Sequence, residues 1–306
     1  GASVAYNYIR GEFWDPFQRC EQALAEAYDA GLLGKNVMGS GIDVDIYNHI
    51  GAGAYICGEE TAMMESLEGK RGMPRFKPPF PANAGLYGKP TTINNVETLA
   101  SVPVILEKGA QWFASLGTEK SGGTKIFCVS GHVNNPGNFE VPLGTPFRDL
   151  LAMAGGVRDG RKLKAVIPGG TSMPVVPGDK MLEATMDYDG IMQVGSMLGS
   201  GGVIVMDDST CMVKALMRIS EFYQDESCGQ CTPCREGTGW IYRMVKRIEM
   251  GQAAPGDLEK LRDVAKSIEG RTICAFGEAA AWPVGGMLKH FYDEFAYHIE
   301  HGKCLV

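Results

Sequence analysis

Three cysteines at intervals of three, Cys228, Cys231 and Cys234, stand in Ser227-Cys228-Gly229-Gln230-Cys231-Thr232-Pro233-Cys234, and a fourth, Cys274, lies well downstream in Arg271-Thr272-Ile273-Cys274-Ala275-Phe276-Gly277. Three close thiolates and one remote one suit a [4Fe-4S] cubane, in which each iron takes one external thiolate. Gly229 and Pro233 predict a compact loop that wraps three corners. Structural zinc more often takes two separated Cys-x2-Cys pairs and stays the weaker alternative. Cys20, Cys57, Cys128, Cys211 and Cys304 have no such spacing and read as core or surface thiols, with only Cys57 near other candidate chemistry. Arg235, directly after the third ligand, either counters cluster charge or is an exposed arginine at a helix start.

A second constellation opens with the turn Gly51-Ala52-Gly53-Ala54-Tyr55-Ile56-Cys57-Gly58, followed by Glu59-Glu60-Thr61. Glycines between strand and helix let backbone approach a nucleotide, although ordinary turns use them too. Carboxylates there repel phosphate, so this is no P-loop. They either cap the helix dipole or accept hydrogen bonds from ribose hydroxyls, which favours NAD over its 2′-phosphorylated form. In Pro74-Arg75-Phe76-Lys77-Pro78-Pro79-Phe80-Pro81 a lysine and two aromatics sit on stiff backbone, offering a phosphate partner and stacking faces, or else aromatics packed on the core. Thr91-Thr92-Ile93-Asn94-Asn95-Val96-Glu97-Thr98 supplies amides and hydroxyls for a ligand and equally matches a helix cap.

The elements that must position these groups follow from periodicity. Strands are predicted over 4–9 and 42–50, with helices over 15–30 and 59–67, an α/β layer with a mostly parallel sheet. Five prolines (Pro74, Pro78, Pro79, Pro81, Pro90) make 73–96 an extended ordered loop. Short β runs at 125–129, 138–141, 164–168 and 175–176, with one helix at 147–154, read as a small α+β domain. After a short strand at 202–206, Asp208-Ser209 is expected to cap a helix to 224, and further helices fit 237–251, 255–268 and 278–300. The expected division is 1–118, 119–200 and 201–306.

Composition bounds the rest. Among 306 residues, 29 basic and 36 acidic side chains give a net charge of −7, and nothing points to nucleic acid. No apolar run approaches the roughly 20 residues that span a bilayer. An odd number of cysteines, several in apolar stretches, fits a reducing compartment. The chain begins without Met and almost inside a strand, so its natural N-terminus is expected further upstream.

The blocks Gly51 to Ala62, Lys77-Pro78-Pro79-Phe80-Pro81, Lys89 to Thr98 and Glu226 to Gly237 together closely resemble the NADH-binding flavoprotein subunits of respiratory complex I, over essentially the whole chain. The resemblance implies the C-terminal part of a Rossmann-like flavin domain, a ubiquitin-like β-grasp domain and a helical bundle holding the cluster. It implies that Gly58, Glu59, Asn94 and Asn95 line FMN, that Glu59 and Glu60 face NADH, that Lys77 and Phe80 meet its phosphate and adenine side, and that Tyr55 joins the pocket. Cys228, Cys231, Cys234 and Cys274 would ligate the cluster. No side chain is required as acid or base. Partners implied are a thioredoxin-like [2Fe-2S] subunit and a large iron-sulfur subunit. The location implied is peripheral, on the cytoplasmic side of the bacterial inner membrane or the mitochondrial matrix side. The family pattern also has an upstream Gly-rich flavin loop that nothing here matches, so these residues alone are expected to bind flavin poorly. Rival readings are the diaphorase subunit of an NAD-linked hydrogenase or formate dehydrogenase, and a flavin-free iron-sulfur relay.

Overall fold

The computed structural model describes residues 1–306, which divide into two compact units, Gly1–Ile93 and Asn94–Val306. In the first unit, β1 (Val4–Ile9) and β2 (Asp45–Ile50) pair in parallel from Val4↔Asp45 to Ile9↔Ile50, connected through α1 (Trp14–Asp29). β2 starts later than the sequence predicts, because Asp43 is drawn into a turn: it accepts the Asn36 N–H (2.9 Å) and pairs with Lys35 (2.9 Å). A 3₁₀ turn, Tyr55–Gly58, leads into α2 (Glu60–Leu67). The segment after α2 carries only one further 3₁₀ turn, Leu86–Gly88, as the prolines predict. Ion pairs hold this loop in place of a large apolar core. Arg75 binds Glu65 and Glu68 and donates to the Gly85 carbonyl (3.0 Å). The Lys70 hydrogen bond is the main cause that holds the Glu68 carboxyl down at about 2, and the Tyr87 N–H and Arg75 add to it against partial burial.

The second unit begins with α3 (Val96–Lys108) and α4 (Ala110–Ala114), then β3 (Thr124–Gly131), β4 (Gly137–Pro142), α5 (Phe147–Met153), β5 (Leu163–Ile167), β6 (Val176–Pro177), α6 (Gly178–Met181) and α7 (Tyr188–Gln193). β7 (Gly202–Asp207) follows, and then α8 (Met212–Glu226), α9 (Thr232–Glu249), α10 (Asp257–Ile268), α11 (Phe276–His290) and α12 (Tyr292–His301). The sheet order is β4-β3-β7-β5-β6, with β3 and β7 parallel and the other pairs antiparallel. Alternation sends Phe127 and Val129 of β3, and Val203 and Val205 of β7, into a core with Phe147, Leu150 and Val166. The sequence set 202–206 apart from the β-rich segment, yet β7 is its middle strand.

Three helix boundaries depart from expectation. Ser209 cannot cap α8, because its N–H and hydroxyl both go to buried Asp207 (3.0 and 2.5 Å); Cys211 Sγ accepts the Lys214 N–H (3.4 Å) instead. α9 starts at Thr232 with Pro233 in its first turn, ahead of the predicted residue 237. The long C-terminal helix is two, parted at Phe291, whose φ of −130° is not helical.

Candidate cofactor sites

Glu59 precedes α2 with extended backbone, and its Oε2 accepts the N–H groups of Thr61 (2.9 Å) and Ala62 (3.0 Å) and the Thr61 hydroxyl. Such a cap contributes about 1 kcal/mol. The capping reading of this carboxylate is therefore present in the structure, but only one of its oxygens is used up. The other accepts from Lys77 Nζ at 3.2 Å, and Lys77 also binds Glu60. Burial raises the Glu59 pKa, but the Thr61 hydroxyl, the Ala62 N–H and Lys77 outweigh it and the net shift is downward. Burial likewise works against the Lys77 charge, and Glu60 and Glu59 overcome it, so its pKa is raised. The result is a cation between two carboxylates on the first turn of a helix.

Tyr55 and Gly58 belong to the turn just before Glu59 and are exposed, and no atom lies within 4 Å of where a Gly58 Cβ would stand. Phe76 and Phe80 are 76% and 55% exposed, so the aromatics of the proline loop do not serve the core. Thr61, which sequence reasoning did not single out, binds Glu59 and accepts the Arg75 N–H (2.8 Å), joining the cap to the loop that carries Lys77. Asn94 and Asn95 open the second unit, both exposed, and Asn95 Oδ1 caps α3 by accepting the Glu97 N–H (3.1 Å).

The cysteine site lies where helix ends meet in the second unit. Cys231 is the residue before α9, Cys234 lies in its first turn, 5% exposed, and Cys274 sits in the turn before α11. α8 and α9 pack along each other on either side of the loop that carries Cys228. Gly229 takes φ +77°, which L side chains rarely adopt. Arg235 donates to the Gly229 carbonyl (2.9 Å) and fastens the loop to α9, a concrete role for this exposed arginine. Burial pushes the Cys234 thiol up to about 11, and the nearness of Cys231, Cys228 and Cys274 pushes it the same way. The other three predicted ligands thus all lie near enough to Cys234 for their charges to act on it. Ser227, missed in the sequence although adjacent to Cys228, has its hydroxyl 3.1 Å from Cys234 Sγ.

The donor set is four thiols, with Cys231 and Cys234 at the positive end of α9 and Cys274 just before that of α11, which fits an anionic iron-sulfur cluster. The open backbone at Gly58 and the paired carboxylates fit the flat ring of FMN and the ribose of NADH.

Family models match as Nuo51 FMN-binding domain over residues 1–104, SLBB domain over 126–176 and NADH-ubiquinone oxidoreductase-F iron-sulfur binding region over 214–298. The NADH-quinone oxidoreductase F subunit of Rickettsia bellii is 57% identical over 302 residues, covering 98% of this chain and 72% of that protein. Its counterpart in Rickettsia typhi is 57% identical over 303 residues with the same coverage. Among solved structures, a chain of NAD⁺-reducing [NiFe]-hydrogenase in the H2-reduced state superimposes with a TM-score of 0.87 at 35% identity over 98% of this chain, which spans half the length of that one. With 57% identity across nearly all its residues, the chain belongs to the family of NADH-quinone oxidoreductase F subunits.

Proposed function

We propose that this chain is the electron-input part of an NADH dehydrogenase that works within a multi-subunit complex. The observation that carries the reading is the gathering of Cys228, Cys231, Cys234 and Cys274 at the ends of α8, α9 and α11 in a chain that also bears the Gly58-Glu59-Glu60 turn. Bound FMN supplies conversion of a hydride from NADH into single electrons, and a bound [4Fe-4S] cluster supplies a one-electron acceptor from which they leave toward quinone through partner subunits.

The chain's own residues bind and orient. Glu59 and Glu60 accept from ribose hydroxyls, and Lys77, already placed between them, offsets the repulsion that two carboxylates exert on the phosphates of NADH. Phe80 offers a stacking face to the adenine, while Tyr55 and Gly58 line the flavin. No side chain is assigned as acid or base. We assign 1–118 to flavin and NADH, 119–200 together with β7 to the β-grasp part and the helices that follow, to 306, to the cluster, supported by the three family-model matches.

Membership of this family implies partner subunits, and we assign a thioredoxin-like [2Fe-2S] subunit and a large iron-sulfur subunit to that place. No helix is long and apolar enough to cross a membrane. The assigned position is peripheral, on the cytoplasmic side of a bacterial inner membrane or its mitochondrial equivalent. A second reading, the diaphorase subunit of an NAD-linked hydrogenase, is favoured by the structural likeness to the hydrogenase chain.

Low-temperature EPR of the anaerobically reconstituted full-length protein tests the proposal. A reduced [4Fe-4S] signal on adding NADH is the expected result. A signal that appears only with dithionite reduces the protein to a relay, and the absence of iron overturns the reading. Nickel in the co-purified assembly selects the hydrogenase alternative.

A further inference from the structure

Away from the cluster, Cys211, His298 and Cys304 bring one sulfur, one imidazole nitrogen and a second sulfur to within 4.8 Å of one another. Cys211 and His298 are buried and Cys304 half-buried. The three come from distant points: the residue before α8, the end of α12 and the segment after it. Glu249, the last residue of α9, adds a carboxylate oxygen 3.5 Å from both Cys211 Sγ and His298 Nε2, which are themselves 3.5 Å apart.

The protonation pattern shows what these atoms converge for. His298 Nδ1 lies 2.7 Å from the Glu294 carbonyl oxygen, which can only accept, so Nδ1 carries the proton. Nε2, on the fully buried side of the ring, faces the Glu249 carboxylate oxygen and Cys211 Sγ. The Cys211 thiol donates to Glu249 Oε2, and a divalent cation taking the place of that proton would meet sulfur, nitrogen and oxygen together. Both sulfurs also accept backbone N–H groups, Cys211 from Lys214 and Cys304 from Val306, each at 3.4 Å. Such backbone donors orient a metal-bound sulfur, just as the Glu294 carbonyl orients a metal-bound imidazole.

The distances among Cys211, His298 and Glu249 suit one ion. Tetrahedral zinc with Zn–S about 2.3 Å and Zn–N or Zn–O about 2.0–2.1 Å sets its donors roughly 3.3–3.8 Å apart, the two sulfurs farthest. The backbone is also shaped for the approach. Gly251 after α9 and Gly302 after α12 both have positive φ, and a Cβ on Gly251 would stand 2.4 Å from the Gly302 carbonyl oxygen. A side chain on Gly251 would have to displace the Gly302 backbone.

We propose that Cys211, His298 and Cys304, with Glu249 as fourth donor, form a structural zinc site that ties the segment after α12 to the ends of α8 and α9. It is separate from the four-cysteine centre.

Metal analysis and zinc-edge X-ray absorption of the full-length protein, prepared anaerobically with a phosphine reductant, test this. The expected result is one zinc per chain beyond the iron of the cluster, with two sulfur and two nitrogen or oxygen neighbours. Cys304→Ser should lose that zinc and keep its iron and NADH-reduced EPR signal. Should that variant fail to fold, alkylation of the native protein serves: added zinc should shield Cys304 and Cys211 from iodoacetamide. Absence of zinc from reduced protein exposed to it, four sulfur neighbours (zinc in the cluster site), or a Cys211–Cys304 disulfide under these conditions would each overturn the proposal.

Discussion

Glu59 at the start of α2 and Cys231 at the start of α9 use the same local device, the positive end of a helix, in opposite ways. In the first unit the anions are already answered: Glu59 and Glu60 share Lys77, and Glu65 and Glu68 share Arg75. In the second, the nearby arginine is turned to a carbonyl, and burial keeps Cys234 toward its neutral form. The carboxylate site already holds a cation of its own. The thiol site gains one only with a metal. One is therefore expected to tune affinity and the other to decide whether the protein works at all.

The largest effect should come from Cys274→Ser. Losing the remote ligand should abolish the NADH-reduced EPR signal and lower iron content, while NADH binding to the first unit persists; retention of a full signal would break the contrast. Next, Lys77→Ala leaves two carboxylates unbalanced beside the proposed phosphates. It should raise KM for NADH about tenfold, roughly 1.4 kcal/mol, with iron content and cluster signal unchanged. An unchanged KM would remove Lys77 from the binding set.

Acid should separate the two sites in a graded way. Glu59 and Glu68 have folded pKa values below the ordinary glutamate value of 4.5. Their contribution to stability is complete above that value and is lost as pH falls toward about 2, where folded Glu68 protonates. Urea midpoints followed from about pH 6 to about pH 3 should fall, and Glu68→Gln should flatten that fall. The smallest effect is on the cap itself. Glu59→Ala should cost about 1 kcal/mol, read as earlier hydrogen exchange at Thr61 and Ala62.

What could be read from the sequence tracks how local each feature is. Cys228, Cys231 and Cys234 lie in one short loop, so spacing alone exposes their chemistry, and the glycine turn before Glu59 is equally contiguous. β1, α1 and α2 follow from periodicity and glycine stops. The place of β7 was not legible, because its pairing with β3 joins Cys128 to Gly202, and strand period carries no information about which strand lies next to it. The break at Phe291 was hidden because the apolar pattern continues through it. Cys211 and Cys304 read as ordinary thiols for the same reason: only the meeting of helix ends puts them beside His298.

The central position of β7 also has a consequence in time. During synthesis β3, β4, β5 and β6 leave the ribosome before it, but β3 and β5 do not touch in the finished sheet; each pairs with β7. The sheet therefore cannot close until residue 207 has emerged, and such late, long-range pairing is slow and exposes strand edges meanwhile. α8 and the cysteine loop come next in the chain, so the thiols are born onto a sheet that has only just closed. A nascent chain stalled before Gly202 should attract chaperones, and one stalled after the loop should already be able to accept iron at three of its corners.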